Sequence, residues 1–499
     1  MADGFASCGS AGKEGVIPAA GTCVRIALLF DSAIQPAWIC RLIETLRDKI
    51  VAIEVREAPS RTPSFLERID AAKFAKPDDA LAPCEVPRVS GSIAGADIVL
   101  DFTNRERGAN VWTLHHDARA DFLAQRPTTT TELRANGVAI ARVHARTDPI
   151  SLHRGLSRLG WKSAAMIART IEGSPASSDL DDAGMPAIRT SGFGPWIATA
   201  RMPSAIAASA RMPLSIAAFT RSVRRYVSQQ IIDRFMHEQW LVGVRFGERG
   251  EFRPITPPDD RLWADPFVVT EGARVFLFVE ELVYREGKGT IAVMELRRDG
   301  TATPPRRVLE RPHHLSYPCV FRWDGHYYML PETGENATVE LYRCRSFPDQ
   351  WETSAVLMQG IHATDATMFE HAGRWWMYLS TAPDGETFDE LSLFHADTPL
   401  GPWSPHPRNP ILSSVVGGRC AGRPFVRDGR LMRAAQIGSR RYGHSIQLRE
   451  IVTLTESECV EREVETIQPD WTSRLAGAHT YNVEGEITVI DGVRYRWGL

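Results

Sequence analysis

The chain lacks most of the markers that quickly classify a protein. In its 499 residues no uninterrupted apolar run approaches the roughly 18 residues of a membrane-spanning helix. Excess positive charge is also missing. A formal net charge of −3 argues against a general nucleic-acid binder. No Cys-x-x-Cys spacing occurs among the eight cysteines, which excludes a recognisable zinc ribbon or thioredoxin-like motif. The first strand is followed by no Gly-x-Gly-x-x-Gly, and neither a P-loop nor a Gly-x-Ser-x-Gly appears. His115-His116 and His313-His314 have no partner at metal-ligand spacing, so no metal or cofactor is expected. The first 15 residues, MADGFASCGSAGKEG, lack a basic segment followed by an apolar one. They read as a polar tail of a cytoplasmic protein whose cysteines are mostly reduced and buried.

What is present divides into three regions beyond a tail at 1–22. Residues 23–173 alternate strands and helices. VRIALLF at 24–30, IVAIEV at 50–55 and ADIVLDF at 96–102 read as buried strands, and Pro36 opens a helical pattern. This predicts a Rossmann-like α/β domain, whose ligand would sit beyond the carboxyl ends of its strands. Residues 174–235 are rich in Ser, Ala, Pro and Met and contain the near-duplication ARMPSAIAAS-ARMPLSIAAF. Two copies are too few for a solenoid, so the segment reads as a linker with a helical end.

Residues 236–499 repeat a module. A short opening strand, a glycine turn and an aromatic or apolar second strand recur near 265, 317, 365, 422 and 481. The turns are placed at Glu271-Gly272, Asp324-Gly325, Ala372-Gly373, Asp428-Gly429 and Asp491-Gly492. A period of roughly 50–60 residues fits the blades of a propeller, here five. WLVGVRFG at 240–247 supplies a strand to close the ring with the last blade.

Opening strands of blades line a central channel, so Asp265, Tyr317, Asp365, Arg423 and His479 should converge on one axis. Trp263 and Tyr317 can stack on a sugar ring, while Asp, Arg and His hydrogen-bond hydroxyl, carboxylate or phosphate groups. Each opening residue taken alone is equally well explained as a turn or cap. Glu280-Glu281 and Arg440-Arg441 read as solvated strand ends and hairpin tips.

The WADPF opening, the second polar opening at Asp365 and the five units resemble the propeller shared by glycoside hydrolase family 43 and its relatives. More closely, WADPFVV, HLSYPCVF, LFHADTPLGPWSPHP, AGRPFVRDGRLMRAAQ and HTYN resemble the N-terminal domain of plant glucosamine inositolphosphorylceramide transferases. The hydrolase resemblance implies a general base at Asp265 and a pKa-modulating aspartate at Asp365. That family's acid, a glutamate opening the fourth blade, is replaced here by Arg423 in Gly422-Arg423-Pro424. Arginine cannot donate that proton at neutral pH, which leaves Glu332 or Glu281 as substitutes. If Arg423 neutralises a phosphate leaving group, transfer becomes more plausible than hydrolysis. The plant proteins carry a separate glycosyltransferase domain not matched here, so their activity is not carried over by the resemblance.

VRIALLFDS and GADIVLDFTNRERGANVWTLHHD resemble a formyltransferase-like domain. Working members use an Asn-x-His pair and a later Asp. Here His115 and His116 match the histidine region and Thr113 stands in place of Asn, implying a scaffold or a binder of another ligand. The expectation is a carbohydrate-active protein of envelope or exopolysaccharide metabolism, taking a sugar or sugar-nucleotide ligand and no nucleic acid. The alternatives are a non-catalytic glycan binder and a sugar N-formyltransferase run by the first domain.

Overall fold

The computed structural model describes residues 24–173 and 216–497, except 58–62, 77–78, 107, 109, 248–249 and 383–387. The tail and most of the linker lie outside the described residues. The chain divides into two compact units, Met1–Arg225 and Tyr226–Leu499.

The first unit is built on a six-stranded sheet. Its spatial order is Ile50–Val55, Ile26–Phe30, Ile98–Asp101, Val111–His116, Thr128–Ala135 and Val138–Arg146. The first four strands run parallel, and the last two are added antiparallel. Helix Leu152–Ile171 lays Met166 and Ile167 against Ile26, Leu28 and Val143 of the sheet. The strands expected at 24–30, 50–55 and 96–102 are therefore present. This mixed sheet does not by itself establish a Rossmann-like or formyltransferase-like domain. Among the described cysteines, Cys319, Cys344, Cys420 and Cys459 are free and buried, as expected of most, and Cys40 and Cys84 form a disulfide.

The second unit is a five-bladed β-propeller. Four blades follow one another in sequence, with inner strands at Arg261–Glu271, Ser316–Trp323, Ala363–His371 and Val416–Cys420. The fifth blade joins both ends of the unit. Met236–Phe246 pairs along its full length with Ile487–Trp497, from Phe246 opposite Ile487 to Met236 opposite Trp497. Eleven residue pairs thus close the ring, and they include the WLVGVRFG strand. The hairpin turn of this blade lies at Gly485, where φ is +57°, and Asp491-Gly492 sits inside the strand instead. Position 492 is crowded, since a Cβ there would lie 2.8 Å from the Leu475 side chain and 3.0 Å from the Trp471 ring.

Each of the first three inner strands breaks register at its opening. The shifts fall between Ala264 and Phe267, Ser316 and Cys319, and Thr364 and Thr367. At each, a non-glycine residue takes a left-handed backbone: Asp265 at φ +50°, Tyr317 at +46° and Asp365 at +52°. Such bulges bend a strand and re-aim side chains, at a cost of roughly 1–3 kcal/mol when the residue is not glycine. Proline follows two of the three, where the missing N–H leaves no gap in the ladder. The same strained bulge therefore recurs at the opening of three blades.

Candidate functional site

The bulges release backbone N–H groups, and neighbouring blades supply their acceptors. Asp491 Oδ2 accepts from Asp265 N–H at 3.3 Å, and Asp265 Oδ2 accepts from Tyr317 N–H at 3.2 Å. Glu332 Oε2 accepts from Asp365 N–H at 3.2 Å. Carboxylates are therefore structural at this end of the channel before any ligand is considered.

Beside this ring lies a cavity of about 240 Å³. Asp265 and Glu280 of the first blade and His314, Ser316 and Glu332 of the second line it. Arg419 and Tyr442 of the fourth blade and His479 and Trp240 of the fifth complete the lining. Strand alternation explains why Glu280 faces the cavity while its neighbour Glu281 turns away to Arg261 and to Trp263 Nε1, 3.1 Å from each. Both glutamates are buried, not solvated strand ends.

The wall is a chain of paired charges. His479 Nδ1 lies 2.6 Å from Asp491 Oδ2, and its Nε2 lies 3.4 Å from Asp265 Oδ1. Burial disfavours the imidazolium, but Asp491 and Asp265 outweigh it and push His479 up to about 9. Burial raises Asp265 to about 7, with His479 pulling it down and Glu280, Asp365 and Asp491 adding to the rise. Glu332 is raised to about 8 by burial and by the charge of Asp365, against the pull of Arg419. His314 sits 3.2 Å from Glu280 Oε1, a contact that lifts its affinity for a proton despite burial. Arg419 binds Asp365 through Nε and through Nη2 at 3.3 Å, and its guanidinium lies 4.9 Å from the Tyr442 ring.

The sequence-predicted residues fall into two groups. Asp265, Glu332 and His479 line the cavity. Asp365 stands behind it, held by Arg419, by Gln436 Nε2 at 2.9 Å and by its N–H bond to Glu332. Tyr317 is fully buried, its hydroxyl 2.9 Å from Thr367 Oγ1 and accepting from Gly422 N–H at 2.7 Å. Trp263 packs in the core with Val242 and Val268. Neither ring lines the cavity; Trp240, 4.1 Å from the His479 ring, and the half-exposed Tyr442 are the aromatic residues that do. Arg423 is not on the cavity wall. Its guanidinium donates to Val320 O at 2.8 Å and to Val268 O at 3.4 Å, and pairs with Glu484 at 3.1 Å. Those contacts tie inner strands together and leave it no phosphate to neutralise in the cavity.

Sequence reasoning missed Trp240, Arg419, Tyr442 and Asp491. Of these, Tyr442 carried a signal in the Tyr-Gly pair at 442–443, whose Gly443 takes φ +59° in the fold and brings the loop against Trp240. In the first unit, His115 Nε2 lies 2.9 Å from Thr113 Oγ1, and His116 is exposed at the same strand end.

Among the described residues, Asp265, His479 and Asp491 bring three ligand-type atoms within 4.8 Å of one another. An ion bound at about 2.0–2.2 Å by two donors keeps them near 3 Å apart. The 2.6 Å between His479 Nδ1 and Asp491 Oδ2 is an ion-pair distance, shorter than that spacing, although Nδ1 lacks a hydrogen-bonding angle to the carboxylate.

Residues 257–482 match the family model described as glucosamine inositolphosphorylceramide transferase 1, N-terminal. The chain is 35% identical over 203 residues to glucosamine inositolphosphorylceramide transferase 1 of Oryza sativa subsp. japonica, covering 40% of this chain and 27% of that protein. It is 34% identical over 206 residues to the Arabidopsis thaliana protein of the same name, with 40% and 27% covered. The chain thus spans about a quarter of the length of the curated relatives it matches. Among solved structures, a family 117 glycoside hydrolase of Zobellia galactanivorans aligns with 51% of this chain and 90% of its own, at 13% identity and a TM-score of 0.36. A family 43 β-1,3-galactosidase aligns with 46% and 57%, at 12% identity and a TM-score of 0.37. By sequence, the propeller is similar to the N-terminal domain of these transferases, and the family match begins beyond the first unit.

Proposed function

We propose that the channel cavity binds a glycosyl group and that its carboxyl groups act in transferring or cleaving that group, in envelope or exopolysaccharide metabolism and in the cytoplasm. The observation that carries this reading is the placement of Asp265 and Glu332 in the lining of one cavity, both raised into the range where a proton is exchanged near neutral pH. Chemistry at a glycosidic bond uses one carboxyl group as proton donor to the leaving oxygen and a second as a carboxylate, the two flanking the bond. Glu332, at about 8, holds its proton at pH 7 and is the donor in this reading, replacing the acid that Arg423 cannot supply. Asp265 is the base, and His479 beside it favours the ionised form. Asp365 acts indirectly, by setting the charge around Glu332 and Arg419. The aromatic surface of Trp240 and Tyr442 suits the apolar face of a sugar. The relatives' printed name adds a glycosyl transferase context and makes glucosamine a sensible first probe.

A second reading, recognition of a glycan without turnover, is favoured by the engagement of Arg423 and Asp365 in fixed cross-blade bonds. Replacing Asp265 with Asn separates the two. In a titration against a panel of glucosamine- and glucose-bearing glycosides, a catalyst loses product formation and keeps affinity, whereas a binder shows no product in either form. The absence of binding by every panel member would sink both readings. The formyltransferase-like reading of the first unit is supported by sequence resemblance, with His115 beside Thr113 as its nearest site feature. Folate binding to the chain tests it.

A further inference from the structure

We propose that Asp491 is a positioning residue for the cavity, one carboxylate that fixes the backbone turn presenting Asp265 and pairs with the His479 ring beside it. In sequence, Asp491-Gly492 looks like another hairpin tip. In the fold Asp491 is wholly buried in the middle of the ring-closing strand. Its Oδ1 accepts from His479 N–H at 2.8 Å and from Thr480 N–H at 3.0 Å. Its Oδ2 accepts from Asp265 N–H at 3.3 Å and meets His479 Nδ1 at 2.6 Å. Thr480, held this way, returns its hydroxyl to Asp265 Oδ1 at 2.7 Å. Four contacts therefore converge on the first blade's strained opening and on the imidazole facing it.

The charge consequence follows from what surrounds His479. Asp491 lies on its own blade, Asp265 reaches it from the first blade and Asp365 acts from the third. Trp240 and Tyr442 cover its ring, and Arg419 is the cation across the Tyr442 ring. Burial alone would leave the imidazole neutral. Asp491 supplies the largest opposing pull and lifts it to about 9, so it is charged throughout the neutral range. That charge in turn favours ionisation of Asp265. Without Asp491 the imidazole loses its largest opposing pull, whereas Asp265 loses both the cation that favours its ionisation and one carboxylate that opposes it, so His479 is the group whose titration reports the change.

The test is Asp491→Asn, which retains a side-chain oxygen for the His479 and Thr480 N–H groups while removing the charge. Histidine ring resonances are followed by NMR from pH 5 to 10 in the full chain, with His479→Gln used for assignment. The wild-type His479 midpoint is expected near 9. In Asp491→Asn it should fall by at least two pH units, a hundredfold or greater change in acid dissociation, with the circular dichroism of the fold kept. Asp491→Glu should restore part of the shift. A midpoint that stays near 9 in Asp491→Asn overturns the proposal. A wild-type His479 that is neutral at pH 7.5 overturns it too, and needs no variant to fold. The role in ligand handling rests on the proposed glycosyl site, but these titrations use no ligand. Their failure is therefore distinct from a failure to bind sugar, which the glycoside panel reads.

Discussion

Replacing Glu332 with Gln should stabilise the propeller at alkaline pH while harming its function. Glu332 has a usual carboxyl value of 4.5 in the unfolded chain and about 8 in the fold. The folded state therefore holds the proton more tightly. Relative to a residue that does not titrate, its contribution is fully present below 4.5 and is lost as pH rises through about 8. At about 1.4 kcal/mol per pH unit, that gap sets an upper bound of about 5 kcal/mol. Glu332 keeps partial solvent access at the cavity wall, so half of that, about 2–3 kcal/mol, is the working figure. Gln accepts the same N–H bond from Asp365 and never ionises. Calorimetric melts of the full chain at pH 5 and pH 9 are the assay. At pH 5 the two proteins should unfold nearly together. By pH 9 the variant's propeller transition should lie about 5–10 °C higher, at roughly 2–4 °C per kcal/mol for a domain of this size. A variant no more stable than wild type at pH 9, or one equally stabilised at both pH values, refutes the placement of a reluctantly ionised glutamate in the wall. Gained stability with lost turnover is the usual mark of a site held against its own folding preference.

Two further outcomes are expected. Glu461 lies between Arg433 Nη2 at 2.6 Å and Arg449 Nε at 2.9 Å, and these cations outweigh burial and hold it down at about 2. Glu461→Gln strands the fully buried Arg433 and should cost about 3–5 kcal/mol in chemical unfolding at pH 7. The difference from wild type should shrink as pH falls from 4.5 through about 2, where wild type loses the same charge. Gly443→Ala puts a Cβ 2.8 Å from the Trp240 ring at a φ of +59°. Glycoside affinity should fall at least tenfold in calorimetric titration, against a stability loss of only about 1–3 kcal/mol; unchanged affinity would remove Trp240 from the site.

The propeller was readable because its signal is repeated. Five opening strands with glycine turns at a regular interval specify blades even when any one unit is ambiguous. Asp265, Glu332 and His479 were readable as polar residues at or near those openings. Tyr317 and Trp263 misled because an aromatic residue at an opening looks the same whether it faces a channel or a core. Only the left-handed turn at residue 317, invisible in a Tyr-Pro pair, sends that hydroxyl across to Gly422. Arg423 misled for a related reason: long side chains reach past the level of their own Cα, and its guanidinium is spent on the carbonyls of Val268 and Val320. Asp491 was hidden by its glycine neighbour, which marks a crowded strand and not a turn. Arg419 and Tyr442 precede and follow their blade's readable motif, and nothing local in sequence says that they meet over Asp365 and His479.

A crystal structure of the propeller with a panel-selected monosaccharide glycoside tests the central claim most directly. The sugar should lie against Trp240 and Tyr442 with its oxygens within hydrogen-bonding reach of Asp265 and Glu332. A ligand seated on the outer face of a blade, with the channel cavity empty, would contradict the assignment of this cavity as the site.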